Sequence, residues 1–134
     1  MKIIIAGAGE VGLHLSKLLS FESHDITLID NNVVNLKDGE NYLDIKVING
    51  DSSSPSSLNN ANVSNADLVI GVTASESINF FTCILAKKLG AKRTIARLTN
   101  TESLLKMEIS LIFHLLVLMK LFHPKILQLM RLNY

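Results

Sequence analysis

Three glycines and an aspartate carry the clearest chemistry in this chain. Gly7-Ala8-Gly9-Glu10-Val11-Gly12 has the G-x-G-x-x-G spacing, follows the apolar run Ile3–Ala6, and stands 18 residues ahead of Asp30, counted from Gly12. Gly7 permits a tight turn, Gly9 lets backbone approach a phosphate, and Gly12 lets a helix pack closely on a strand. The N–H groups that open such a helix point at an anion, so the device cradles a dinucleotide pyrophosphate. Asp30 can accept hydrogen bonds from both ribose hydroxyls and would repel a 2′-phosphate, which favours NAD over NADP. The plainer alternatives are a tight strand–helix turn for the glycines and a helix-capping aspartate for Asp30.

Further candidates fall at the ends of later apolar runs. Asp51 follows one run and could approach the adenosine side, or be a turn aspartate in Gly-Asp-Ser. Thr73-Ala74-Ser75 follows another and could offer hydroxyl and N–H groups to phosphates. Arg97 could pair with a phosphate or make a surface salt bridge. No group of His, Cys, Asp and Glu has metal-ligand spacing, and no catalytic acid–base pair is legible. His14, His24, His114 and His123 do not follow strands at this edge, and Cys83 reads as helix packing rather than a nucleophile.

These residues need elements to position them. Residues 2–6 read as a buried parallel strand, and residues 10–19 as a helix with its stripe at Val11, Leu15, Leu18 and Leu19. Strands follow at 26–29, 45–48, 66–72 and 93–98. Asn31 or Asn32 caps one intervening helix, and Ser54-Pro55 opens a short one. A helix over 78–89 carries Phe81, Cys83, Ile84, Leu85 and Leu89 as candidate core and is closed by Gly90. Thr99 or Asn100 begins the next. This alternation predicts a doubly wound, Rossmann-like parallel sheet in three α/β/α layers, with ligands at the carboxyl ends of the strands.

Composition bounds the function. The 134 residues suit one globular domain, 48% hydrophobic and 19% charged, and a net charge of +1 argues against nucleic acid as an electrostatic partner. A single cysteine fits a reducing cytoplasm, and Met1-Lys2 runs into the first strand without a cleavable signal region. Residues 1–108 hold 10 Lys/Arg against 12 Asp/Glu, whereas residues 109–134 hold Lys120, Lys125 and Arg131 and no acid.

Taken with Met1–Gly12, four stretches form a set: Asn49-Gly50-Asp51-Ser52 with Pro55 and Leu58, Ala66–Thr73, Ala86–Gly90, and Thr94–Arg97. The set, from Met1 to about Glu108, resembles the N-terminal RCK (KTN) domain of the TrkA family of Trk-type potassium-uptake regulatory subunits. Asn79 stands where that family usually has an asparagine after an acidic pair. The resemblance implies a non-catalytic domain that binds NAD(H) or ATP/ADP. It also implies homo-oligomers, from dimer to ring, that gate a potassium-translocating membrane subunit from the cytoplasm, at the inner face of the plasma membrane. By position, Gly7, Ala8, Gly9, Glu10, Val11 and Gly12 become the phosphate loop and Asp30 the ribose acid, with Asp51, Thr73 and Arg97 completing the pocket. Ser75-Glu76-Ser77 is less acidic than the family's pattern, so no cation site is assigned there.

One domain and a tail are therefore expected: a nucleotide-binding domain at 1–108 and an atypical apolar tail at 109–134. The run 109–119 is too short to span a membrane, and Pro124 would break a partner-binding helix. The preferred reading is a frame-shift product: one permitted displaced reading of residues 112–134 restores an acidic, family-like continuation. Its glutamate at Met119-Lys120 is forced by the codons. The rival for the whole chain is an NAD-dependent oxidoreductase fragment lacking its substrate domain.

Overall fold

Isoleucine dominates the first strand, and β-branched residues of that kind suit a strand buried on both faces. In the computed structural model, which describes residues 1–42 and 44–98, Ile3, Ile4, Ile5 and Ala6 are all fully buried. The elements run β1 Lys2–Ala6, α1 Glu10–Phe21, β2 Asp25–Asp30, α2 Val33–Tyr42, β3 Lys46–Asn49, α3 Pro55–Asn60, a 3-10 turn Val63–Asn65, β4 Leu68–Gly71, α4 Glu76–Lys88 and β5 Arg93–Ala96. The helix expected from Thr99 or Asn100, and the tail 109–134, lie outside the described residues.

All four strand pairings are parallel, and the order is β3-β2-β1-β4-β5. Ala6 therefore lies between Ile29 on one side and Gly71 on the other. The strand order reverses between β1 and β4, and their connections diverge there to opposite faces, opening a crevice at the carboxyl edge. This is the doubly wound α/β fold that the sequence predicts.

Ile3, Ile5, Ile26, Leu28, Ile70 and Val72 form one core cluster with Leu36, against which Leu13, Leu15 and Leu19 of α1 pack. The stripe expected on α1 is half right. Leu15 and Leu19 face the sheet, but Val11 is 40% exposed and Leu18 is 49% exposed. The reason is the close seat of the helix. Gly12 and Ser16, one turn apart, are its buried residues, and the Ser16 hydroxyl donates back to the Gly12 carbonyl at 2.8 Å. That contact rotates Val11 away from the core and toward the carboxyl edge.

The opposite edge is closed by Asp67. Its carboxylate accepts the Lys2 N–H at 2.8 Å and pairs with Lys92 Nζ at 3.2 Å, joining the starts of β1, β4 and β5. The Lys2 amide, and then Lys92, hold this carboxyl below its ordinary value of 3.8. Helix α4 is closed by Leu89 as its C-cap and then Gly90, whose φ of +115° suits a C′ glycine, and the Ala91 N–H reaches back to the Ala86 carbonyl at 3.0 Å. Cys83 is buried in α4, and burial pushes its thiol up to about 11.

Two stability outcomes follow. A methyl group at Gly12 would overlap the Gly7 carbonyl oxygen, so Gly12→Ala should lower unfolding free energy by roughly 3 kcal/mol in a denaturant titration. A wild-type midpoint for that variant would mean that α1 is not seated on the turn as described. A carboxyl with a depressed pKa contributes stability above its unfolded value and loses it as the pH falls. Asp67→Asn should therefore be less stable than wild type at pH 7, and the gap in denaturation midpoint should close as the pH is taken from 3.8 downward.

Candidate functional site

The turn after β1 is built from backbone constraint. Gly7 has φ +119°, a left-handed conformation that side chains disfavour, and a Cβ there would stand 2.8 Å from the Thr73 nitrogen. Its N–H donates to the Ile29 carbonyl at 2.8 Å, and the next amide, Ala8, donates to Asp30 Oδ2 at 2.7 Å. The β2 exit thus fixes the turn twice. Gly9 is the N-cap of α1, with no side-chain cap bond, and a Cβ on it would meet nothing within 4 Å. The first-turn amides of α1 have no intrahelical acceptor, and they open where Gly9 leaves space.

That space belongs to a cavity of about 540 Å³ at the carboxyl edge. Gly7, Gly9, Glu10, Val11, Asp30, Asp51, Thr73 and Arg97 all line it. Its walls come from the turn after β1 and the exits of β2, β3, β4 and β5, so the fold gathers residues up to 90 positions apart (Gly7 to Arg97). Ala8 and Gly12 do not line it. Ala8 is fully buried with its amide held by Asp30, and Gly12 seats the helix.

Each polar candidate has a definite state. Asp30 Oδ1 accepts the Asn32 N–H at 2.7 Å, while the cap of α2 is Asn32, whose Oδ1 accepts the Val34 N–H at 3.0 Å. Asp30 is therefore not the helix cap. Each of its oxygens accepts one protein N–H and retains a lone pair for a hydroxyl donor. Asp51 behaves as a turn aspartate, its Oδ1 accepting the Ser53 N–H at 2.9 Å and the Ser53 hydroxyl at 2.6 Å, yet it also borders the cavity. Arg97 has no ion pair among the described residues, and its exposed side chain borders the same space. Three carboxylates (Glu10, Asp30, Asp51) and one guanidinium line the cavity, so an additional phosphate beside Asp30 would be repelled.

Thr73 differs from its expected role. Its hydroxyl donates to Asn79 Oδ1 at 2.6 Å, and its N–H donates to the same oxygen at 2.7 Å. The Thr73 proton donors thus point into the protein and shape the wall. Asn79 and Thr82, one turn apart on α4, are fully buried, and Thr82 Oγ1 lies 3.3 Å from the hydroxyl of the cavity-lining Ser52. Of the α4 core expected from the sequence, Cys83 and Leu85 are buried, Phe81, Ile84 and Leu89 are only partly so, and Asn79, Thr82 and Ala86 complete the buried face. A reading by hydrophobicity misses Asn79 and Thr82. Their signal is the small or short residue recurring at 79, 82, 83 and 86 on one helical face.

Comparison with known proteins places the chain. The TrkA-N domain profile matches residues 3–117. The Trk system potassium uptake protein TrkA of Haemophilus influenzae is 44% identical over 105 residues, which is 78% of this chain and 23% of that protein. This chain thus spans about a quarter of that relative's length. Among solved structures, Shewanella denitrificans Kef CTD in AMP-bound form aligns with TM-score 0.60 at 24% identity, over 71% of this chain and 57% of that one. A protein described as a short-chain dehydrogenase/reductase-family oxidoreductase, from Aeromonas hydrophila, aligns with TM-score 0.52 at 20% identity, over 65% of this chain and 51% of that one. Both likenesses are of fold. The profile match spans most of the described sheet and its glycine turn, and the chain belongs to the TrkA-N domain family.

Proposed function

We propose that this chain is the nucleotide-binding module of a Trk-type potassium-uptake regulator, taking NAD(H) or an adenine nucleotide and catalysing nothing. The observation that carries the reading is the uncapped N-terminus of α1. It opens at Gly9 onto a cavity whose next wall is the Asp30 carboxylate. Backbone N–H groups and the helix dipole would meet the phosphates there, and Asp30 would accept the ribose hydroxyls. Arg97 would approach a phosphate and Asp51 the adenosine side. The AMP bound by the Kef neighbour supports an adenine nucleotide as the ligand class.

The regulatory part rests on kinship to a potassium uptake protein. The ligand would bind two arrangements of a homo-oligomer with different affinity and so bias a potassium-translocating membrane subunit. The chain would act from the cytoplasmic side of that partner; among the described residues no helix is long and apolar enough to cross a membrane. Residues 1–108 would form this module, with 109–134 outside it. The oxidoreductase reading has the fold likeness in its favour. Hydride transfer needs a general acid beside the nicotinamide, a role that would fall to a carboxyl of Glu10, Asp30 or Asp51 in the described cavity lining, which holds no His, Tyr, Lys or Cys.

Calorimetric titration tests the ligand assignment. NADH should bind and NADPH should bind more weakly, and Asp30→Ala should cost NADH about tenfold while narrowing its lead over NADPH. Equal affinity for the two cofactors in the wild type sinks the role of Asp30. Gly9→Ala should fold within about 1 kcal/mol of wild type, because its methyl meets open space, yet bind NADH weakly. Unchanged NADH affinity in that variant would mean that the pyrophosphate lies elsewhere.

A further inference from the structure

We propose that Asn79, which does not itself line the cavity, is the positioning residue for one whole wall of it. The side chain is fully buried in the first half of α4. Its Oδ1 accepts the Thr73 N–H at 2.7 Å and the Thr73 hydroxyl at 2.6 Å. Its Nδ2 donates to the Thr73 carbonyl at 3.1 Å and to the Arg97 carbonyl at 3.3 Å. A carboxamide has two donor hydrogens and an oxygen with two lone pairs, and here all four are used.

The consequence is geometric. Thr73 and Arg97 are the points where the chain leaves β4 and β5, and both border the cavity. Nothing in the sheet ladder extends to the Thr73 amide, whereas the Val72 and Arg97 amides are held by the Ala6 and Gly71 carbonyls. One buried side chain therefore ties the β4–α4 turn to the β5 exit beyond the ladder. The helix can bring it there because it lies directly on the strand. A Cβ on Gly71 would stand 3.0 Å from both the Cα and the carbonyl oxygen of Asn79. Since an unmatched polar group is costly in this interior, only an arrangement that satisfies all four bonds is retained.

The effect on ligand affinity rests on the nucleotide reading above, and the test separates the two. Amide hydrogen exchange and NADH titration would be measured on the full chain for wild type, N79A, N79D and T82A. N79A is expected to lose Thr73 amide protection by about tenfold or more, with Ile5 and Leu28 in the central strands unchanged, and to bind NADH about tenfold more weakly. N79D has nearly the same volume but no N–H to meet the Thr73 and Arg97 carbonyls, so it should weaken NADH binding as well. T82A removes a different buried hydroxyl from α4 and should leave Thr73 protected. Wild-type behaviour in N79D would reduce Asn79 to a space-filler and overturn the proposal, as would protection lost evenly across the sheet. If N79A does not fold, the N79D comparison decides. If the wild type binds no NADH, the ligand reading fails and the exchange pattern alone decides the role of Asn79.

Discussion

The seat of helix α1 on the turn after β1 is the constraint on which the rest of the site depends. Gly12 brings the helix against the Gly7 carbonyl, and Gly7 in turn sits against the backbone at Val72 and Thr73. Three segments of main chain therefore meet where a side chain would ordinarily hold them apart. This close approach aims the first turn of α1 along the carboxyl edge of the sheet and leaves its amides facing a cavity. It also rotates Val11 out of the core to become part of the cavity lining.

Around that seat, hydrogen bonds rather than apolar contacts fix the edge. Asp30 holds the Ala8 amide from the β2 side, Thr82 approaches Ser52 below the β3 exit, and Asn79 gathers the exits of β4 and β5. Polar groups suit this work because strand exits leave amides and carbonyls that the ladder no longer pairs, and buried ones need partners. Helix α4 accordingly presents apolar and small residues to the middle of the sheet, and polar ones where the sheet ends. The same helix is thus part of the core along one stretch and part of the cavity's support along another.

Most of the fold was legible because it depends on local rules. The glycine turn, the Asn32 cap of α2, the Pro55 start of α3, Gly90 after α4, and the isoleucine-rich first strand each follow from residue type and spacing. Legibility fell where a residue's neighbours come from distant segments. Val11 and Leu18 fit a helical stripe equally well as Leu15 and Leu19, and only the depth to which Gly12 sinks decides which pair is covered. Thr73 stood at the right strand end for a ligand donor, but a residue six positions later takes its protons. Asp51 was open between turn and site, and it borders the cavity while serving the turn.

The sequence by itself determined the sheet's strands, their alternation with helices, and the edge at which binding groups collect, because hydrophobic period and glycine stereochemistry act over a few residues. Its motifs also identified the family, to which the profile match assigns it independently. Only the tertiary structure decided which polar groups remain available to a ligand and which are consumed inside. Hydrogen-bond capacity is finite. The Thr73 hydroxyl is engaged by the Asn79 side chain of α4, one Asp30 oxygen by the Ala8 amide after β1, and the Asn79 amide by carbonyls at the exits of β4 and β5. Folding decides each of these by bringing the partners within hydrogen-bond distance.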